Sequence, residues 1–166
     1  MITNLCEKQS PKGIIVGLDL ADKFGVGVME ASSRKLLFSA TFKLSKYGKD
    51  KRLLTLKEII SRIFDAYSPS EIAIEDVFLP IKTSRRTPIA LGELRGVASL
   101  CAQERGIPVF FYPPRKIKLA ITGYGNAAKE DVITFVEREF AVKVKDDNEA
   151  DAISVAYTHI MERELA

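Results

Sequence analysis

Apolar positions along this chain recur with two different periods, and the switches between them mark out strands and helices. Ile14-Ile15-Val16-Gly17-Leu18 is a near-continuous apolar run closed by Asp19, and Ile72-Ala73-Ile74 is a second, closed by Glu75 and Asp76. Runs of this kind read as strands buried on both faces. Residues 24–29 and 35–42 read as two further strands of a hairpin meander, with Ala31-Ser32-Ser33 as the turn. The period then changes. Leu53, Leu56, Ile60, Ile63 and Tyr67 follow at intervals of three and four, predicting an amphipathic helix that Ser68-Pro69-Ser70 ends. Residues 81–87 read as a polar loop, 88–103 as a helix and 109–111 as a short strand. Helices are predicted near 115–121, over 129–140 and from about Asn148 onward. Three antiparallel strands joined to parallel ones by crossover helices predict an α/β domain, its mixed sheet covered on both faces. Residues 1–12, polar and containing Pro11, read as a flexible N-terminal arm before a single domain spanning 13–166.

The acids at the ends of these elements carry the chemistry. Asp19 and Glu75 each close a core strand, and Asp151 lies at the start of the last helix in Asp146-Asp147-Asn148-Glu149-Ala150-Asp151. Singly, each reads as a solvated residue beginning a loop. Together, at the ends of buried elements, they need a partner, because an unpaired buried charge is costly. A hard divalent cation held by oxygen ligands satisfies several acids at once. The same arrangement suits metal-assisted phosphodiester hydrolysis, with two ions about 3.5–4 Å apart on the attacking and leaving oxygens.

Composition leaves room for such a site. The 166 residues are 46% hydrophobic and 28% charged, ordinary values for one globular domain. No apolar run approaches a membrane span, no secretory signal is visible, and Cys6 and Cys101 have no metal or redox spacing. A cytoplasmic protein with reduced thiols is expected. The net charge of +3 is small, but its distribution is uneven. Basic residues gather at Lys43, Lys46, Lys49, Lys51, Arg52 and Lys57, at Lys82, Arg85 and Arg86, and at Arg115, Lys116 and Lys118. Basic surface around an acidic centre suits a nuclease, although solvated faces are where most charge runs belong. One histidine, His159, permits no Ser-His-Asp arrangement and reads as a packed core residue. No Gly-rich Walker loop is present.

Seven segments, in order and with similar spacing, resemble the RuvC family of Holliday junction resolvases. They are Gly17-Leu18-Asp19 with Gly25-Val26-Gly27; Ala73-Ile74-Glu75-Asp76-Val77-Phe78; Leu91-Gly92-Glu93-Leu94-Arg95-Gly96; Glu104-Arg105-Gly106-Ile107-Pro108-Val109; Tyr112-Pro113-Pro114-Arg115-Lys116-Ile117-Lys118; Thr122-Gly123-Tyr124-Gly125-Asn126-Ala127-Ala128-Lys129; and Ala150-Asp151-Ala152-Ile153. The resemblance implies a ribonuclease H-like fold, a five-stranded mixed sheet flanked by helices. It also implies a homodimeric, magnesium-dependent endonuclease that makes paired nicks in four-way DNA junctions. Manganese would substitute, with one or two ions per site. The protein would act on branched DNA in the cytoplasm of a bacterial host, nucleoid-associated or phage-encoded. Two rival functions stay open: a broader branched-DNA or RNA nuclease of this fold, and a catalytically impaired DNA-binding module.

By position, Asp19, Glu75 and Asp151 match family metal ligands. The family's fourth ligand, an Asp or His three residues before the Asp151 position, is here Asn148. An amide oxygen can bind a hard cation but lacks a carboxylate's charge. Asp147, four residues before Asp151, is the other candidate, and a plain helix cap is its alternative role. Lys118 and Lys129 match lysines at the scissile region, where an ammonium stabilises developing charge. Phe78 matches an aromatic that stacks on an unpaired base, its alternative being a core position on a strand running on to Val77. Lys82, Arg85, Arg86 and Arg115 complete the expected DNA contacts. Gly123-Tyr124-Gly125 is a weak anion-turn signal, and Gly92 and Gly96 would let the sheet or a second subunit approach their helix.

Overall fold

The computed structural model describes residues 12–76 and 85–166, so the expected arm (except Lys12), Phe78 and Lys82 lie outside the described residues. Within them a five-stranded mixed sheet has the order β3-β2-β1-β4-β5. Its strands are β1 (Ile14–Asp19), β2 (Lys23–Glu30), β3 (Lys35–Lys43), β4 (Glu71–Glu75) and β5 (Val109–Tyr112). β1, β2 and β3 pair antiparallel, while β1–β4 and β4–β5 pair parallel. Helices α1 (Arg52–Tyr67) and α2 (Arg86–Gln103) cover one face. On the other lie α3 (Pro114–Thr122), α4 (Lys129–Phe140) and α5 (Asp147–Leu165). The alternation of strand and helix was legible in the hydrophobic periods, and the sheet is the one they predict.

Parity along the strands decides which residue faces which layer. Val16 and Leu18 pack with Leu56, Ile60 and Phe64 of α1, whereas Ile15 packs with Ile153 and Ile160 of α5. In β4, Ile72 and Ile74 join the α1 side, and Ala73 meets Val155 of α5. Asp19 shares parity with Ile15 and Gly17, and Glu75 with Ala73, so both acids turn toward α5.

Two boundaries differ from the periodic reading. α2 begins at Arg86, two residues before Pro88, because the first turn of a helix leaves its N–H groups unpaired and accommodates a proline. The strand closed by Glu75 ends at that residue as expected, and the Asp76 N–H still reaches the Tyr112 carbonyl at 2.7 Å. α5 begins one residue early, at Asp147. Its cap is Asp146, whose carboxylate accepts the Glu149 N–H at 3.1 Å.

Small residues set how closely α5 approaches the sheet. A Cβ on Gly17 would stand 2.2 Å from the Ala152 carbonyl oxygen, and one on Gly25 would stand 2.1 Å from that of Asn148. Gly27 faces the Ile153 backbone at 2.8 Å in the same sense. Gly25→Ala is therefore expected to lift the first turn of α5 off the sheet and to cost about 3 kcal/mol by overpacking. Chemical denaturation against the parent chain checks it; equal stability would show that α5 is not seated this tightly.

Candidate active site

Asp19, Glu75 and Asp151 each place a carboxylate oxygen within 4.8 Å of the others, and all three are half-buried. Two effects create this meeting. Leu18 pairs with Ile74 across parallel neighbours, so the next residues, Asp19 and Glu75, leave the sheet side by side. α5 crosses beneath them on glycine, presenting Asn148 and Asp151 from one helical face.

The electrostatics follow from crowding like charges at a half-buried site. Burial, then the charges of Asp19 and Asp151, push Glu75 up to about 8. Burial, then Asp19 and Asp147, push Asp151 up to about 7. Asp19 rises to about 6 through burial, restrained by the Asn148 amide, which donates to its Oδ2 at 3.0 Å. Lys118 and Lys129 oppose this build-up, Lys118 acting on Glu75 and Asp151, Lys129 on Asp19 and Asp151. Carboxylates that hold protons for want of a counter-charge are a donor set suited to a hard cation.

The two candidates for a fourth ligand are separated by their partners. Asp147 is engaged by Lys129, Nζ to Oδ2 at 2.5 Å, which holds its carboxyl below the usual range. Asn148 instead contacts Asp19. The first turn of α5 is further tied to β3 by Ser39, donating to Glu149 at 2.6 Å, and by Thr41, donating to Asp146 at 2.8 Å. Sequence reading missed this clamp; the Asp146-x-x-Glu149 spacing of a capped helix start was its signal.

The remaining expected residues are spread around the acids. Arg85 and Arg86 stand at the start of α2. Arg115 is exposed on α3 and lies over Gly125, where a Cβ would meet its Cγ at 2.8 Å. The two glycines near Tyr124 are thus structural: Gly123 ends α3 at φ 76°, and Gly125 makes room for Arg115. His159 is fully buried as expected. Its Nδ1 meets the Tyr112 hydroxyl at 2.7 Å and its Nε2 meets Glu71 at 2.7 Å, while desolvation lowers its pKa. Arg95 was not foreseen; it pairs with Asp76 at 2.6 Å and stacks over Phe111, beside Glu75.

The family model for crossover junction endodeoxyribonuclease RuvC matches residues 15–159. The chain belongs to the RuvC family. A RuvC from Pseudothermotoga lettingae is 40% identical over 116 residues, covering 69% of this chain and 70% of that protein. One from Thermotoga maritima is 32% identical over 143 residues, covering 83% of this chain and 84% of its own. Among solved structures, Thermus thermophilus RuvC aligns with a TM-score of 0.78 at 26% identity, covering 90% of this chain and 95% of that one. The same protein in complex with a Holliday junction substrate aligns at 0.82, covering 92% and 96%. The fold is ribonuclease H-like, as expected, and the chain is a crossover junction endodeoxyribonuclease of the RuvC type. Among the described residues no helix is long and apolar enough to cross a membrane.

Raised carboxyl pKa values have a thermodynamic consequence. From about pH 4, where unfolded carboxyls release their protons, up to about 8, where Glu75 does in the folded chain, these three carboxyls bind more protons in the folded state, an excess that outweighs the part of one proton lost by desolvated His159. Stability therefore falls as pH rises through that window. Asp146 and Asp147, shifted downward, act below it. In metal-free buffer, Glu75→Gln is expected to flatten the decline of Tm over this range. An unchanged slope in that variant would refute the crowding.

Proposed function

We propose that this chain resolves four-way DNA junctions with Asp19, Glu75 and Asp151 as the ligands of one or two magnesium ions, manganese substituting. The convergence of these three carboxylates within 4.8 Å, on elements matching the family's order, carries the reading. When bound, the cation supplies a hydroxide nucleophile at neutral pH and stabilises the leaving oxygen. The chain's own residues do the rest. Glu75 and Asp151 give up their protons on loading, so site occupancy rises with pH. Lys118, half-buried and acting on both acids, neutralises charge developing on the phosphoryl oxygens.

Asn148 is the fourth ligand in this reading: it already touches Asp19, and an amide flip offers its oxygen in place of its nitrogen. Asp147 is the counter-ion that holds Lys129 at the rim of the site. Arg85, Arg86, Arg115, Lys118 and Lys129 bind backbone phosphates, and Phe78 and Lys82, outside the described residues, act at the branch. The 13–166 segment acts as one nuclease domain.

A magnesium-dependent cleavage assay on four-way, three-way and linear DNA tests this. Asp19→Asn should abolish cleavage and keep junction binding. Asn148→Asp should lower the magnesium needed for half-maximal rate, whereas Asp147→Asn should leave that requirement unchanged and weaken the contribution of Lys129. Full activity of Asp19→Asn at saturating magnesium, or equal cleavage of linear duplex by the parent, would reject the reading.

Two opposed nicks call for two sites, and α2 offers the surface for a two-fold dimer. A Cβ added at Gly92 or Gly96 would have nothing within 4 Å among the described residues, and Ile89 and Leu100 on the same helix are 64% and 49% exposed. The sheet therefore does not use these glycines; a second copy of the chain does in this proposal. Ile89→Glu with Leu100→Glu should convert a dimer to a folded monomer in sedimentation. A parent chain that sediments as a monomer would remove the dimer.

A further inference from the structure

We infer that the 3-10 segments joining β3 to α1, Leu44–Tyr47 and Lys49–Lys51, with Lys43 before them, form a second docking surface, for the backbone of a duplex arm leading away from the acids. The inference rests on the nuclease reading and extends it to a surface beyond the metal ligands.

Position comes first. In the antiparallel ladders Asp19 pairs with Gly25, and Lys23 pairs with Lys43, so β3 ends at the same end of the sheet as the catalytic acids. Two strand spacings separate β3 from β1, about 10 Å. Each strand of a duplex carries one phosphate per about 3.4 Å of helix axis, so the ledge meets phosphates a few nucleotides from the scissile one.

Rigidity is the second observation. Asp22, three residues after Asp19, accepts the Ser45 N–H on Oδ1 at 3.0 Å and the Ser45 hydroxyl on Oδ2 at 2.7 Å. Its carbonyl accepts the Leu44 N–H at 2.8 Å, and the Leu44 side chain is fully buried. The ledge is thereby fastened to the turn that follows a metal ligand. Its lysines keep a set distance from the site.

Charge is the third. Lys43, Lys46, Lys49 and Lys51 are exposed and have no acidic partner among the described residues. The neighbouring cations of the same sequence cluster are spent: Arg52 pairs with Glu93 at 2.7 Å and Lys57 with Glu104 at 3.6 Å. Asp50 is the acid within the ledge. Point-charge ammoniums with one exposed ring, Tyr47, suit phosphates of paired DNA rather than unpaired bases, which require a row of stacking faces.

The test is equilibrium binding of a four-way junction across a salt series, beside cleavage, using the intact chain. Lys46→Gln with Lys49→Gln removes two charges from the ledge. Lys12→Gln with Lys35→Gln removes two from the opposite end of the sheet and controls for net charge. The ledge variant should lose about two phosphate contacts, flattening the slope of log K against log salt by about 1.8, while the control keeps the parent slope. Asp50→Asn should tighten binding. All three variants should keep the parent Tm, since the side chains are exposed. A ledge variant indistinguishable from the control, or Asp50→Asn without effect, overturns the docking surface and leaves the nuclease reading intact. A parent chain that shows the ledge effect but cuts no junction overturns the nuclease reading instead.

Discussion

The close seating of α5 on glycine is the constraint on which the molecule depends. With Gly17, Gly25 and Gly27 beneath it, the helix backbone rests almost directly on β1 and β2. Only at that separation do Asn148 and Asp151 reach the carboxylate of Asp19. The same contact buries Ala152, Ile153 and Ala156 completely, so core packing and site geometry are one interaction. A larger side chain at any of these glycines would disturb both.

That seating forces like charges together, and the surrounding structure is arranged to tolerate it. Asn148 donates to Asp19, and Lys118 and Lys129 oppose the field of the acids. Asp147 anchors Lys129, while Asp146 and Glu149 hold the helix start to hydroxyls of β3. Four consecutive residues of one helical turn thus serve three purposes. Further along the same helix, His159 bridges Tyr112 and Glu71, and Arg163 pairs with Glu71 at 3.0 Å. This polar chain, buried at His159 and reaching solvent at Arg163, locks α5 to β4 and β5 behind the site.

The outer surface divides by use. The α2 face carries glycines and exposed apolar side chains, the composition of a contact between like subunits. Lysines without an acidic partner among the described residues occupy the sheet end near the acids, while other cations, such as Arg52, Lys57 and Arg105, are engaged in ion pairs with neighbouring helices or turns. The separation matches a protein that must hold a second copy on one side and a polyanion on another.

The sequence by itself determined the elements and the acids. Periods of two and of three to four residues are local properties, so the strands ending at Asp19 and Glu75 and the helix bearing Asp151 could be read directly, as could a packed His159. The family resemblance added the order in which they converge. Tertiary structure alone decided the rest. Whether Asp147 or Asn148 faces Asp19 depends on where α5 begins and what caps it, a matter of one residue set by β3 hydroxyls more than a hundred positions away. Which lysines of a basic cluster stay free depends on ion pairs between elements distant in sequence, as with Arg52 and Glu93. Space left open around Gly92 and Gly96 by the described residues, against contact at Gly17 and Gly25, is likewise invisible in a string where all four are simply glycine. Local patterns are written residue by residue, whereas partners are chosen only when the layers close on one another.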